Sequence, residues 1–124
     1  ILGETGNLSD VAWSPDGSLL AVTSYFGGSI ALYEAATGRK LRHFPLKNTP
    51  RLQRVAWSPD GRRLAACGTY TLVVLEPLSG ELIQPPALTR FYSAVCWSPD
   101  GRAIAAIDEA GVIELLDLSG QTPS

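Results

Sequence analysis

Val11-Ala12-Trp13-Ser14-Pro15-Asp16-Gly17 returns as Val55-Ala56-Trp57-Ser58-Pro59-Asp60-Gly61 and, with one exchange, as Val95-Cys96-Trp97-Ser98-Pro99-Asp100-Gly101. The three tryptophans stand 44 and 40 residues apart in a chain of 124. A period near forty, with a strand-like segment running into a fixed turn, marks small β-sheets repeated along a chain. In each copy Pro presets φ at the second turn position, and Gly supplies the left-handed residue that closes a hairpin. A unit of this size cannot bury both of its faces alone, so neighbouring units are expected to stack.

Working outward, the first unit reads as four strands, Leu8–Trp13, Leu19–Ser24, Ser29–Glu34 and Lys40–Phe44, with turns at Phe26-Gly27-Gly28 and Thr37-Gly38. The second repeats the plan with Leu52–Trp57, Arg62–Gly68, Thr71–Glu76, a Ser79-Gly80 turn and Glu81–Gln84. The third gives Tyr92–Trp97, Arg102–Asp108 and Gly111–Asp117, then Ser119-Gly120. After that, Gln121-Thr122-Pro123-Ser124 shows no apolar alternation, and Pro123 has no ladder donor, so no fourth strand is expected there. Leu19-Leu20-Ala21-Val22, Leu64-Ala65-Ala66-Cys67 and Ile104-Ala105-Ala106-Ile107 are continuous apolar runs, the pattern of strands covered on both faces. Their small side chains suit sheets converging on an axis. The expected class is all-β, with four-stranded antiparallel sheets stacked face to face around a hub.

With these features the chain resembles the WD-repeat family of β-propellers. Beyond the strand–SPDG–strand core, the resemblance is carried by SIALYEAATG (29–38), VVLEPLSG (73–80) and IELLDLSG (113–120), and it covers nearly all 124 residues. It implies a partial propeller over 1–124, with blades at about 8–44, 52–84 and 92–117. The Trp-Asp pair that names the family is here Tyr33-Glu34, Leu75-Glu76 and Leu116-Asp117, and Gly6-Asn7 is the nearest echo of its Gly-His pair. The family's Trp, Ser, His and Asp network therefore cannot form as usual. Apolar packing should hold these blades, while the acid of each pair holds a turn. The resemblance also implies one partner-binding face, whose matching positions are Asn7 and Ser9, Arg51 and Gln53, and Phe91 and Ser93. Tyr25, Phe26 and Tyr70 fall in loops beside them. Aromatic and Arg side chains are frequent binding anchors, although Tyr25, Phe26 and Phe91 singly also suit packing against an adjacent blade.

Closed propellers contain four to eight blades. An end face leaving about six apolar side chains open forfeits on the order of 10 kcal/mol, as much as a whole domain's stability. The expected remedy is a homo-oligomer, a six-bladed dimer or a nine-bladed trimer, with Ile1-Leu2 of one copy as outer strand of the third blade of another. The rival is a longer chain carrying the remaining blades, which the absence of Met favours.

The chemistry of the side chains points away from catalysis. His43, the single histidine, lies in a charged outer strand, and one His with two separated Cys matches no zinc spacing. Asp16, Asp60 and Asp100, with Ser14, Ser58 and Ser98, belong to turns that select those residues for geometry. No glycine motif cradles phosphate. No cofactor, metal or enzyme activity is expected. Eight of the ten basic residues lie between Arg39 and Arg63, a distribution that reads as solvated edges and loops more readily than as a nucleic-acid surface. Cys67 and Cys96 sit in apolar strand sequence and read as buried reduced thiols, hence a cytoplasmic setting. No stretch approaches the roughly 18–20 apolar residues of a membrane span. The expected function is a protein- or peptide-interaction scaffold; the alternative is a sensor or regulatory segment of a larger, bacterial signalling protein.

Overall fold

A computed structural model describes residues 7–26, 28–46, 51–83 and 91–118. Among them run eleven strands: β1 (Leu8–Trp13), β2 (Leu19–Ser24), β3 (Ser29–Glu34), β4 (Lys40–Pro45), β5 (Leu52–Trp57), β6 (Leu64–Gly68), β7 (Thr71–Glu76), β8 (Glu81–Ile83), β9 (Tyr92–Trp97), β10 (Ala103–Asp108) and β11 (Ile113–Asp117). They form antiparallel sheets ordered β1-β2-β3-β4, β5-β6-β7-β8 and β9-β10-β11. Strands β6, β10 and β11 start later than the sequence pattern suggests, because Arg62, Arg102 and Gly111 lie in bends, and Arg63 and Val112 in irregular backbone after them. The expected donor strand Ile1-Leu2, the residue Gln84 and the Ser119-Gly120 turn lie outside the described residues.

The Ser-Pro-Asp-Gly turn explains why the heptapeptide recurs. In the first copy the Gly17 amide donates to the Ser14 carbonyl at 2.9 Å, and Gly17 takes φ 77°. Gly61 and Gly101 repeat this at φ 75° and 73°. The serine hydroxyl bridges the hairpin, since Ser14 Oγ donates to Asp16 Oδ1 at 2.7 Å and accepts the Leu19 amide at 3.0 Å. Ser58–Asp60 and Ser98–Asp100 hydrogen bonds of 2.6 Å are their counterparts. The acid of the substituted Trp-Asp pair also holds a turn, as expected. Glu34 accepts Thr37 Oγ1 at 2.6 Å and Glu76 accepts Ser79 Oγ at 3.2 Å.

Pairing register assigns the faces, because residues directly opposite in an antiparallel pair share a side. Val55 faces Ala66 and Trp57 faces Leu64, so these side chains turn together toward the first sheet. They join Ala21, Ile30, Leu32, Phe44 and Leu46 in the largest core cluster. On the opposite face of the second sheet, Ala65 and Val74 meet Ile104, Val95 and Trp97, while Cys67 and Leu72 meet Tyr92 and Ala106. The repeated Trp supplies a polar stitch as well as bulk. Trp57 Nε1 donates to the Ala12 carbonyl at 3.1 Å, and Trp97 Nε1 donates to the Ala56 carbonyl at 3.0 Å. A buried indole must find such an acceptor.

Burial follows position in the stack. Every residue of β6 is buried, whereas in β10 only Ile104, Ala106 and Asp108 are. Among the described residues the middle sheet has neighbours on both sides, and the third has one. The same geometry corrects the expectation that both cysteines are buried. Cys67 is enclosed, and burial pushes its thiol pKa up to about 12, but Cys96 is exposed on the outer face of the third sheet. Both thiols are free.

Candidate functional site

Each sheet has two ends, one formed by the Ser-Pro-Asp-Gly turns and one where the first strand begins and the second finishes. At the latter end a single backbone bond recurs. Tyr25 donates to the Asn7 carbonyl at 2.7 Å, Thr69 to Arg51 at 3.0 Å and Glu109 to Phe91 at 2.9 Å. This bond ties the loop before each first strand to the loop after each second strand. It therefore brings Asn7, Tyr25 and Phe26, then Arg51 and Tyr70, then Phe91 to the same end of successive blades. An isolated bridge between Thr69 and Phe91 joins the second and third.

Three of the expected residues make a contact cluster across a blade boundary. The Tyr25 and Phe26 rings meet edge to face at 5.0 Å. The guanidinium of Arg51, from the next blade, lies 5.6 Å from the first ring centroid and 5.8 Å from the second. Both distances fall within cation–π range. Arg51 and Phe26 are exposed, and Tyr70 stands out from the neighbouring loop in a left-handed conformation, φ 54°. Phe91 is half-buried.

The remaining three, Ser9, Gln53 and Ser93, share a different feature. Each is the extra residue of a β-bulge, because the register shifts between Leu8 and Asp10, between Leu52 and Arg54, and opposite Ile107 and Asp108. Bulges re-aim side chains at the ends of sheets. Ser9 is aimed between blades, with its hydroxyl 2.8 Å from Thr23 Oγ1 and 2.7 Å from the Leu52 carbonyl. It holds the first blade to the second instead of facing solvent.

Several structural residues were not singled out by their sequence. Asp10 Oδ2 accepts the Val55 amide at 3.0 Å across the first boundary. Asp108 Oδ1 accepts the Ala110 and Val112 amides, both at 2.9 Å. Arg42, counted among solvated charges, donates to the Pro77 carbonyl and, at 3.0 Å, to that of Leu78, while its guanidinium lies 4.7 Å above the Phe44 ring. It latches the outer strand of one blade to a turn of the next. His43 is exposed, as its strand pattern suggests.

At the opposite end, a cleft of about 370 Å³ opens between the first two Ser-Pro-Asp-Gly turns, lined by Ser14, Pro15, Asp16, Trp57, Pro59 and Asp60 among others. Its acids are committed to their turns. Hydrogen bonds from the Ser18 amide and the Ser14 and Ser18 hydroxyls lower Asp16 to about 2. Ser58, then the Arg62 amide, lower Asp60; Ser98, then the Arg102 amide, lower Asp100. A depressed folded-state pKa stabilises the fold above the unfolded value, near 3.8 here, and that contribution fades as pH falls toward the folded value. Asp60→Asn should therefore lower the thermal midpoint at neutral pH, and the gap to wild type should shrink as pH falls below the unfolded value of 3.8 toward the lowered folded value. A gap independent of pH in melts followed by circular dichroism would contradict this role.

The family model described as WD domain, G-beta repeat matches residues 1–34. No curated protein matches the chain. Among solved structures it is similar to the RRP9 WD40 repeats, with a TM-score of 0.84 and 17% identity over 97% of this chain and 38% of that one. Kuenenia stuttgartiensis hydrazine synthase aligns with a TM-score of 0.81 and 21% identity over 97% and 36%. The Cps50 (Swd1) β-propeller domain of Myceliophteria thermophila aligns with 0.78 and 18% over 97% and 38%. The chain thus spans under two fifths of each of these solved chains.

Proposed function

For a chain built of WD-type propeller blades, we propose a non-catalytic role: a scaffold that receives a protein or peptide at the loop-bearing end of its blades and completes its ring with copies of itself in a reducing, cytoplasmic compartment. The observation that carries the binding face is the Arg51 guanidinium held over Tyr25 and Phe26 across a blade boundary. A rigid cation with aromatic flanks suits a partner segment offering a carboxylate beside an apolar side chain. Tyr70 and Phe91 extend that surface along the next blades. The committed state of Asp16, Asp60 and Asp100 and the enclosed, high-pKa thiol of Cys67 fit a scaffold better than a hydrolase or transferase.

The test is selection of peptides from a randomised display library on the intact chain, followed by titration of the selected peptides. Arg51→Ala should weaken them by about tenfold or more, the usual cost of losing an anchoring Arg, with an unchanged melting profile. Peptides that bind the variant as tightly as wild type would remove this face from consideration.

A further inference from the structure

At the loop-bearing end of the sheets, backbone from the second and third blades forms a single lateral row. Thr69 donates to the Arg51 carbonyl, a bridge joins Thr69 to Phe91, and Glu109 donates to the Phe91 carbonyl. Neighbouring strands lie about 4.8 Å apart, so these steps set Arg51 and Glu109 about 14 Å apart along the row. Among the described residues near this end, other charged side chains are used by the fold itself. Asp10 accepts the Val11 and Val55 amides, Arg54 donates to the Gln53 carbonyl, and Asp108 accepts the Ala110 and Val112 amides. Arg51 and Glu109 differ. Both are exposed, and among the described residues neither side chain has a hydrogen-bond or ion-pair partner. The rings of Tyr25 and Phe26 hold the Arg51 guanidinium in place without using its N–H donors. Tyr70 follows Thr69 in the row, between the two charges, 63% exposed and at φ 54°. A bulky side chain at positive φ is strained, and an exposed ring recovers nothing through burial. Strain retained for such a ring points to a contact made outside the fold.

We propose that this row takes an extended peptide that carries both charges: an acidic side chain on Arg51, a basic one on Glu109, and an apolar residue between them against Tyr70 and Phe91. This rests on the reading of this end as the binding face, and it names the sequence pattern of the partner. An extended chain advances about 3.3 Å per residue, so the acid and the base should stand about four to six residues apart once the reach of the Arg51 side chain is added. Charge complementarity selects this occupant. A polyanion such as single-stranded nucleic acid would meet Glu109 as a like charge, and a uniformly basic segment would meet Arg51 as one. The planar guanidinium suits a carboxylate, which it can hold through two parallel hydrogen bonds. Opposite charges at the two ends of the row also fix the order in which the partner lies across the blades. Glu109 therefore contributes specificity more than affinity.

The experiment selects peptides from a randomised display library on the intact 124-residue chain, then sequences and titrates them. The recovered peptides should share an acidic and a basic residue about four to six positions apart. Glu109→Lys should weaken them about tenfold by repulsion, and Glu109→Gln about threefold by loss of an exposed pair. Replacing the basic residue of the peptide by Glu should restore binding to Glu109→Lys and weaken binding to the wild-type chain. Glu109 is exposed, so both variants should melt as the wild type does. Peptides that share an acid but no base, and that bind Glu109→Lys as tightly as wild type, would overturn this inference and keep the acid-binding face on Arg51. Peptides indifferent to Arg51→Ala as well would overturn both. A single-stranded oligonucleotide that competes with the peptides on the wild-type chain would assign the row to polyanions and likewise overturn the proposal.

Discussion

Gly68→Ala should cost about 3 kcal/mol or more, because overpacking a buried site that cannot relax exceeds the usual 1–3. A Cβ at residue 68 would stand 1.9 Å from the Arg51 carbonyl oxygen and 2.9 Å from its carbon. Neither atom belongs to a side chain that can swing away. That carbonyl also accepts the Thr69 amide at 3.0 Å, so relief requires parting β5 from β6 and giving up that bond. The damage lies under the proposed binding surface, since Arg51 is the residue displaced. Urea denaturation gives the loss in stability, and faster hydrogen exchange at the Thr69 amide locates it. Gly17→Ala is the comparison, with open space around its Cβ but φ 77°, and it should cost about 1 kcal/mol from backbone strain alone. A Gly68→Ala variant no worse than Gly17→Ala would show that the two strands separate more easily than their packing implies.

Gly68 also marks where the sequence stops being legible. The corresponding positions in the other sheets are Ser24, opposite Leu8, and Asp108, opposite Tyr92. Three different residues at one place give a reader of the sequence no reason to single out the glycine. The heptapeptide is the contrary case. Turn chemistry, Trp spacing and apolar runs act locally, so strands, turns and stacking could be read directly from Val11–Gly17 and its copies. What could not be read is which strand faces find a neighbour. Leu64-Ala65-Ala66-Cys67 and Ile104-Ala105-Ala106-Ile107 look alike, yet the first is wholly buried and the second alternates, because burial depends on the next blade. Cys96 is exposed for that reason, although its strand sequence reads as buried. The candidate binding residues divide similarly: repeat alignment puts all nine near one end of the sheets, but only coordinates separate Arg51, which meets two rings, from Ser9, which is held between blades.

Tyr92→Ala should be the other severe loss, about 3–5 kcal/mol as for a large buried aromatic. Tyr92 is the largest fully buried side chain among the described residues and packs with Cys67, Leu72 and Ala106 where the third sheet meets the second. Its hydroxyl donates to Glu114 Oε2 at 2.6 Å. Tyr92→Phe keeps the ring and loses that bond, so it should cost about 1.5–3 kcal/mol, the range for a hydrogen bond to a charged group. In a stack of blades, stability is roughly a sum of unit and nearest-neighbour terms. A loss concentrated at one boundary should therefore uncouple the sheet beyond it. Hydrogen exchange of Tyr92→Ala is expected to show β9–β11 amides opening while β5–β7 stay protected, and urea unfolding should become biphasic. Uniform loss of protection through both sheets would mean that the blades unfold as one unit. The uncoupling also separates contributions to binding: a partner anchored on Arg51, Tyr25 and Phe26 should survive Tyr92→Ala. A partner that needs Phe91, adjacent to Tyr92 and bridged to Thr69, should be lost with the third blade.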